Sequence, residues 1–284
     1  MPLGHRRAVV LLLVLPVLLI AEPWAAATEL RTETIQAFDR FIEENDRRFA
    51  RESQQGPFLW MDGQPEAKRK TLYEELHRGE VVISRLGKEA DGEAIEVPSG
   101  LLHHWVGVVF IPGVTLTEVL RLLQDYDHHD KTYAPEVLQS KLRKRAGEFF
   151  QAYLRFLRKK IITVVVDTEH DAWYQTLSAT RASSRSRTTR VNQVVNYGKA
   201  DEHQMPVGED DGYLWRLYTY WHMEERDGGT FVQCESVTLT RDIPFLLRPI
   251  IGPFVNSLPR ETLTSSLGHT RSALLGQHGN ASSP

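Results

Sequence analysis

The clusters of histidine and carboxylate are where this sequence could do chemistry. His128 and His129 stand beside Asp125, Asp127 and Asp130, and imidazole with carboxylate suits zinc or a non-haem metal. The cluster has no fixed ligand spacing and follows a helical stretch. A solvated helix terminus, with histidine at the negative end of the dipole, is therefore expected. His103-His104 forms a second pair. Adjacent positions on a strand point to opposite faces, so the two cannot share one metal, and one packed and one exposed histidine is expected. Glu169-His170-Asp171 reads as a turn between strands. No glycine-rich phosphate loop, His-Glu-x-x-His helix or Gly-x-Ser-x-Gly elbow occurs, so no catalytic residue, cofactor or metal ligand is assigned.

Arg181, Arg185, Arg187 and Arg190 alternate with serine and threonine in a basic β segment. The expectation is a solvated outer strand face, with contact to anionic lipid headgroups or phosphate as the alternative. Cys234 is the only cysteine. An internal disulfide and a metal-thiolate cluster are excluded by count, so stability must come from a packed core.

The N-terminus reads as a cleavable secretory leader over residues 1–27. Arg6-Arg7 precedes an apolar run from Ala8 to Ala21, Glu22-Pro23-Trp24 breaks it, and Ala25-Ala26-Ala27 offers a cleavage site. The run is shorter than the ~20 apolar residues of a membrane span, so a periplasmic or secreted protein is expected. The formal charge is −3. Mild acidity argues against nucleic acid, whose binding depends on neutralising phosphates.

Residues 28–79 form a helical lead-in. Ile35, Phe38, Phe41, Ile42 and Phe49 recur at helical spacing; Gln54-Gln55-Gly56-Pro57 ends that helix, and a shorter one opens at Pro65. The main domain is expected over 80–275. It begins with strands at Val81–Ile83 and Leu101–Ile111, then a helix capped by Thr115 or Thr117. Strands follow at Val137–Arg143, Glu148–Leu157, Ile161–Thr168, Ala172–Ala179, Arg187–Asn196, Tyr213–Arg226 and Thr230–Asp242. Prolines 244, 249, 253 and 259 confine the last helix to Arg260–Leu275, with a disordered tail over 276–284.

One hairpin is legible in detail. Asp227-Gly228 is a strong two-residue turn signal, which pairs Met223 with Val232, Trp221 with Cys234, Thr219 with Ser236 and Leu217 with Thr238. That face lacks charge. The other face pairs Glu224 with Phe231, His222 with Gln233, Tyr220 with Glu235 and Arg216 with Leu239, and carries the charges. Arg216 is expected on the outer face near Glu235, as a surface ion pair; a one-residue slip would turn it into the interior. Large residues opposite small ones leave space beside Trp221, for a helix or for a cavity.

The segments Leu102-His103-His104-Trp105-Val106-Gly107, Leu123-Gln124-Asp125-Tyr126-Asp127, Gly212-Tyr213-Leu214-Trp215-Arg216, Tyr220-Trp221 and Leu239-Thr240-Arg241-Asp242-Ile243-Pro244 resemble START-related, polyketide cyclase-like proteins of the Bet v 1-like superfamily. The resemblance implies an α+β helix-grip fold, a curved antiparallel sheet wrapped around a long C-terminal helix. It also implies an apolar cavity for a lipid, sterol or polyketide-like molecule, without cofactor. The expected lining is Trp105, Tyr213, Trp215, Arg216, Leu217, Thr219, Trp221, Met223, Cys234 and Ser236. An exported binding protein for a hydrophobic or amphipathic molecule, with peripheral membrane contact open to it, is the leading expectation. A cyclase- or hydrolase-type enzyme on the same fold, or a cell-envelope interaction module built on the lead-in helices, are the alternatives.

Overall fold

The structure is a computed structural model that describes residues 30–86, 97–160, 162–207, 209–242 and 248–281, with side chains of the last segment described from 257 to 277. The expected leader at 1–27 lies outside the described residues.

The fold has three layers, one sheet between two layers of helices. The first holds α1 (Thr32–Gln54), a 3-10 turn (Trp60–Gly63) and α2 (Glu66–His77). The second is antiparallel throughout, in the order β1-β2-β9-β8-β6-β5-β4-β3, with a two-residue strand β7 beside β6. Its members are β1 (Val82–Arg85), β2 (Gly100–Pro112), β3 (Val137–Ala146), β4 (Phe149–Lys159), β5 (Thr163–Thr176), β6 (Arg181–Val195), β7 (His203–Gln204), β8 (Arg216–Arg226) and β9 (Gly229–Arg241). The third holds α3 (Leu116–Gln124), α4 (His129–Thr132) and the long α5 (Arg248–Ala281). Among the described residues no helix is long and apolar enough to cross a membrane.

Local sequence explains the elements that position the interior. Thr115 caps α3 in a capping box with Glu118, and Leu116, Val119, Leu122 and Leu123 form its buried side. The β8–β9 hairpin turns at Asp227-Gly228, both with positive φ (58° and 76°), and its pairing is the expected one from Arg216↔Leu239 to Met223↔Val232 and Glu224↔Phe231. On α5, Leu263, Leu267, Thr270 and Leu274 make one buried stripe. The helix can settle on β2 because Gly107 has no side chain: a Cβ there would lie 2.5 Å from Ile83 Cδ1 and 2.6 Å from Leu267 Cδ1.

Several expectations are corrected. Residues 163–176 are one strand, so Glu169-His170-Asp171 is no turn; the register merely shifts between Glu169 and His170. Alternation explains the mistake, since Glu169 and Asp171 face outward opposite Arg190 and Arg187 while His170 points inward and is buried. α5 begins at Arg248, not Arg260, and continues past Gly276 to Ala281. Pro249 falls in its first turn, where the missing N–H costs nothing, and Pro253 and Pro259 each remove one bond from an otherwise long ladder.

The outer face of the sheet is not solvated where β8 and β9 cross it. α1 lays Phe38, Ile42, Asn45 and Phe49 on it, with Phe38 edge-on to Tyr218 (5.4 Å) and Phe49 stacked on His222 (4.5 Å). Phe58, Leu59, Met61, Leu72 and Leu76 cover Val108, Phe110 and Phe231 next to it. Both His103 and His104 are buried, His104 edge-on to Phe41 of α1 at 5.3 Å.

Candidate ligand cavity between the sheet and the C-terminal helix

The inner face of the sheet leaves a space because its middle strands alternate large and small residues. Trp221 lies between Ser184 on β6 and Cys234 on β9, and Thr219 between Ser186 and Ser236. Beyond them, β5 contributes His170 and Tyr174, and β4 contributes Leu154, Phe156 and Arg158. α5 roofs the space with Thr262, Leu263, Ser266 and His269, while Leu123, Tyr126, His129 and Tyr133 close one end. The chamber measures about 170 Å3. It adjoins a wider polar vestibule of about 390 Å3, lined by Arg158, Lys159, Lys160, Leu258 and Glu261. Glu136, Arg158 and Thr262 border both spaces and so form the neck. With the vestibule, the space reaches the roughly 300–1,000 Å3 of small-molecule sites.

The tyrosines and two of the histidines deep in the chamber are held neutral. Burial lowers His129 and His170 to about 4 and raises Tyr126 to about 12; it also drives Tyr133 and Tyr174 upward. Most already have partners. Tyr126 and Tyr174 hydroxyls lie 3.0 Å apart, the Tyr174 hydroxyl donates to the Leu123 carbonyl at 2.9 Å, Tyr133 meets Thr270 Oγ1 at 3.1 Å, and His170 Nε2 meets Thr168 Oγ1 at 2.8 Å. These groups orient hydroxyl or carbonyl groups by hydrogen bonds and carry no charge near neutral pH. Charge gathers at the neck, on Glu136 and Arg158.

Of the ten residues expected to line a site, Leu217, Thr219, Trp221, Cys234 and Ser236 do line the chamber. Trp105 and Met223 share the inner face but pack into the core beside it. Tyr213, Trp215 and Arg216 are elsewhere. Trp215 is buried with Phe38 under α1, Arg216 Nη1 donates to the Trp215 carbonyl at 2.8 Å, and Tyr213 lies under the Arg241 guanidinium at 5.6 Å. The first two of these precede β8, so the alternation cannot be run back through them. His129 corrects the solvated terminus: it is buried in the end wall, whereas His128 is exposed and bonds Asp125 at 2.9 Å. The residues missed from sequence are Arg158, His170, Tyr174, Ser184 and Ser186; period-two alternation along β4, β5 and β6 is the signal that finds them.

A second polar cluster lies on the opposite face. Glu235, 2% exposed, accepts from His104 Nε2 at 2.7 Å and from Arg48 Nη2 at 2.5 Å. Its partner is thus Arg48 of α1 and not Arg216, because α1 covers the strand and brings its own cation. His222 Nε2 lies 2.9 Å from Ser53 Oγ. The basic β6 residues behave as a solvated face: Arg185, Arg187 and Arg190 are exposed, and the first two flank Trp173 at 5.3 and 5.0 Å. Among the described residues no three histidine, cysteine or acidic side chains are grouped to hold a metal.

A sheet of this strand order, gripping one long C-terminal helix over a cavity, fixes the architecture. The architecture is that of a helix-grip fold, an antiparallel sheet packed against one long C-terminal helix. No protein-family model matches the sequence, and no curated protein matches it. Solved structures with START-like likeness include a STAR-related lipid transfer protein from Xanthomonas axonopodis, 17% identical over 68% of this chain and 98% of that chain, TM-score 0.44. The Zhui aromatase/cyclase from Streptomyces sp. R1128 is 9% identical over 64% and 99% of the two chains, TM-score 0.44. A START superfamily protein from Mycobacterium smegmatis is 11% identical over 61% and 98%, TM-score 0.40.

Proposed function

We propose that this START/Bet v 1-like chain binds a single-chain amphipathic molecule in the chamber under α5, as a carrier and not as a catalyst. The observation that supports this is the lining: Phe156, Leu217, Trp221 and Leu263 supply apolar wall, and Ser184, Ser186, Thr219 and Ser236 supply hydroxyls. Burial of apolar ligand surface contributes roughly 25 cal/mol per Å2, and the hydroxyls supply orientation. A general acid or base works best with a pKa near the operating pH. His129 and His170, held at about 4 by burial, are poorly matched to that task. An interaction module needs the apolar stripe of α1 free, and Phe38, Ile42 and Phe49 are already buried against the sheet.

Two further parts of the proposal concern place. Export is supported by Arg6-Arg7, the apolar run to Ala21 and Ala25-Ala26-Ala27, with a mature chain beginning near Thr28. Peripheral membrane contact is supported at the vestibule rim, where Ile162 is 50% exposed beside Lys159 and Lys160.

The test is native mass spectrometry, with lipid extraction, of protein purified from its own compartment. One bound single-chain amphiphile per chain supports the proposal. A bare chain with nothing extractable contradicts it, and an intact Met1 on the product contradicts export.

A further inference from the structure

Arg158 ends the inner row of β4. Leu154, Phe156 and Arg158 alternate into the same space, and Arg158 alone of the three also borders the vestibule. It is a cation at the neck of the chamber.

Its guanidinium has five N–H donors and little to bond. Among the described residues its only ion pair is with Glu136, whose Oε1 lies 3.6 Å from Nη1, beyond hydrogen-bond length. Glu136 has other partners: Ser265 Oγ donates to it at 2.7 Å, and His269 Nδ1 lies 3.7 Å from its other oxygen. The next acid, Glu261, is held by Lys160 at 2.7 Å. Burial lowers the Arg158 pKa, and the attraction of Glu136 and Glu261 does not fully reverse it. A half-buried guanidinium in this state lacks a counter-ion of good geometry. Arg158, Lys159 and Lys160 outnumber Glu136 and Glu261 around the vestibule, so the neck favours an incoming anion.

We infer that Arg158 is the head-group anchor of the cavity, and that the ligand is an acidic amphiphile whose carboxylate or phosphate monoester lies on Arg158 while its apolar body fills the chamber. The fork of a guanidinium matches either oxyanion with two parallel hydrogen bonds. The inference rests on the binding reading above and specifies its ligand class. Because the cation sits at the neck, the acid stays there and the chain follows the apolar walls inward.

The experiment is calorimetric titration of the full chain with decanoic acid, decyl phosphate and decanol, which share one apolar body. Charge-assisted hydrogen bonds should make at least one of the acids roughly tenfold to a hundredfold tighter than decanol. In Arg158→Gln that preference should vanish, the acids falling to the affinity of decanol, and Arg158→Lys should restore part of it. Circular dichroism of each variant checks the fold, which has no Arg158 hydrogen bond to lose among the described residues. Equal affinities for all three compounds in the wild type would overturn the anchor and leave the cavity reading intact. So would a preference that survives Arg158→Gln, or inorganic phosphate binding as tightly as decyl phosphate. Failure of all three compounds to bind would overturn the anchor together with the cavity reading.

Discussion

Arg48 Nη2 on α1 lies 2.5 Å from Glu235 Oε1 on β9, joining the N-terminal helix to the outer face of the sheet. Burial pushes the Glu235 carboxyl up, but the hydrogen bond from His104 and the charge of Arg48 more than reverse this and hold it at about 2. Removing one member of a buried pair strands the other charge. Arg48→Ala should therefore cost about 3 kcal/mol in urea unfolding. Arg47→Ala, which breaks an exposed pair with Glu43, should change stability by less than about 0.5 kcal/mol. Equal effects of the two would show that Glu235 does not depend on α1.

Acid should unfold the protein through its histidines. His103, His129, His170 and His222 are each lowered to about 4 by burial. Above the unfolded value near 6.5 these groups are neutral in both states and pH has no effect on them. Between 6.5 and about 4 the unfolded chain takes up protons that the folded chain refuses, so stability falls as pH falls through that window. At about 1.4 kcal/mol per pKa unit, each withdraws roughly 3 kcal/mol, against a total of roughly 5–15 kcal/mol for a domain. Glu235 acts lower, its contribution disappearing as pH drops from about 4.5 toward 2. Calorimetry across this range should give a flat Tm above pH 7 and a steep decline below 6.5. A Tm unchanged down to pH 4.5 would contradict the burial of these rings.

The thiol should be quiet in the native state. Cys234 is 2% exposed on the inner face of β9, and burial raises its pKa well above the ordinary thiol range, so little thiolate is present to react. A thiol reagent should label it slowly in buffer and fast in denaturant. Rapid native labelling would place it outside the chamber wall.

What the sequence made legible is what local chemistry controls. Asp227-Gly228 set the β8–β9 register, and with it the inner positions of Thr219, Trp221, Cys234 and Ser236. The expected surface pair of Arg216 with Glu235 fails because the residues that cover this face, Phe38 to Phe58, are remote in sequence from Tyr218 to Glu235. The apolar stripe of α1 announces that the helix packs on the domain, but no local pattern says which strands it covers. His170 was lost for a different reason: two acids flanking it resemble a turn, although period two sends them outward and the histidine in. Pro253 and Pro259 misplaced the start of α5, since its hold on the sheet outweighs two lost backbone bonds.

The most direct test of the cavity is Ser236→Phe, read by thermal unfolding together with uptake of an apolar fluorescent probe by wild type and variant. Ser236 lines the chamber beside Trp221 and Cys234. In a dry, filled core the larger ring should cost roughly 1–3 kcal/mol by overpacking. The account predicts instead a Tm within a few degrees of wild type, probe bound by the wild type, and no probe bound by the variant. A large loss of stability with no probe bound by the wild type would contradict it.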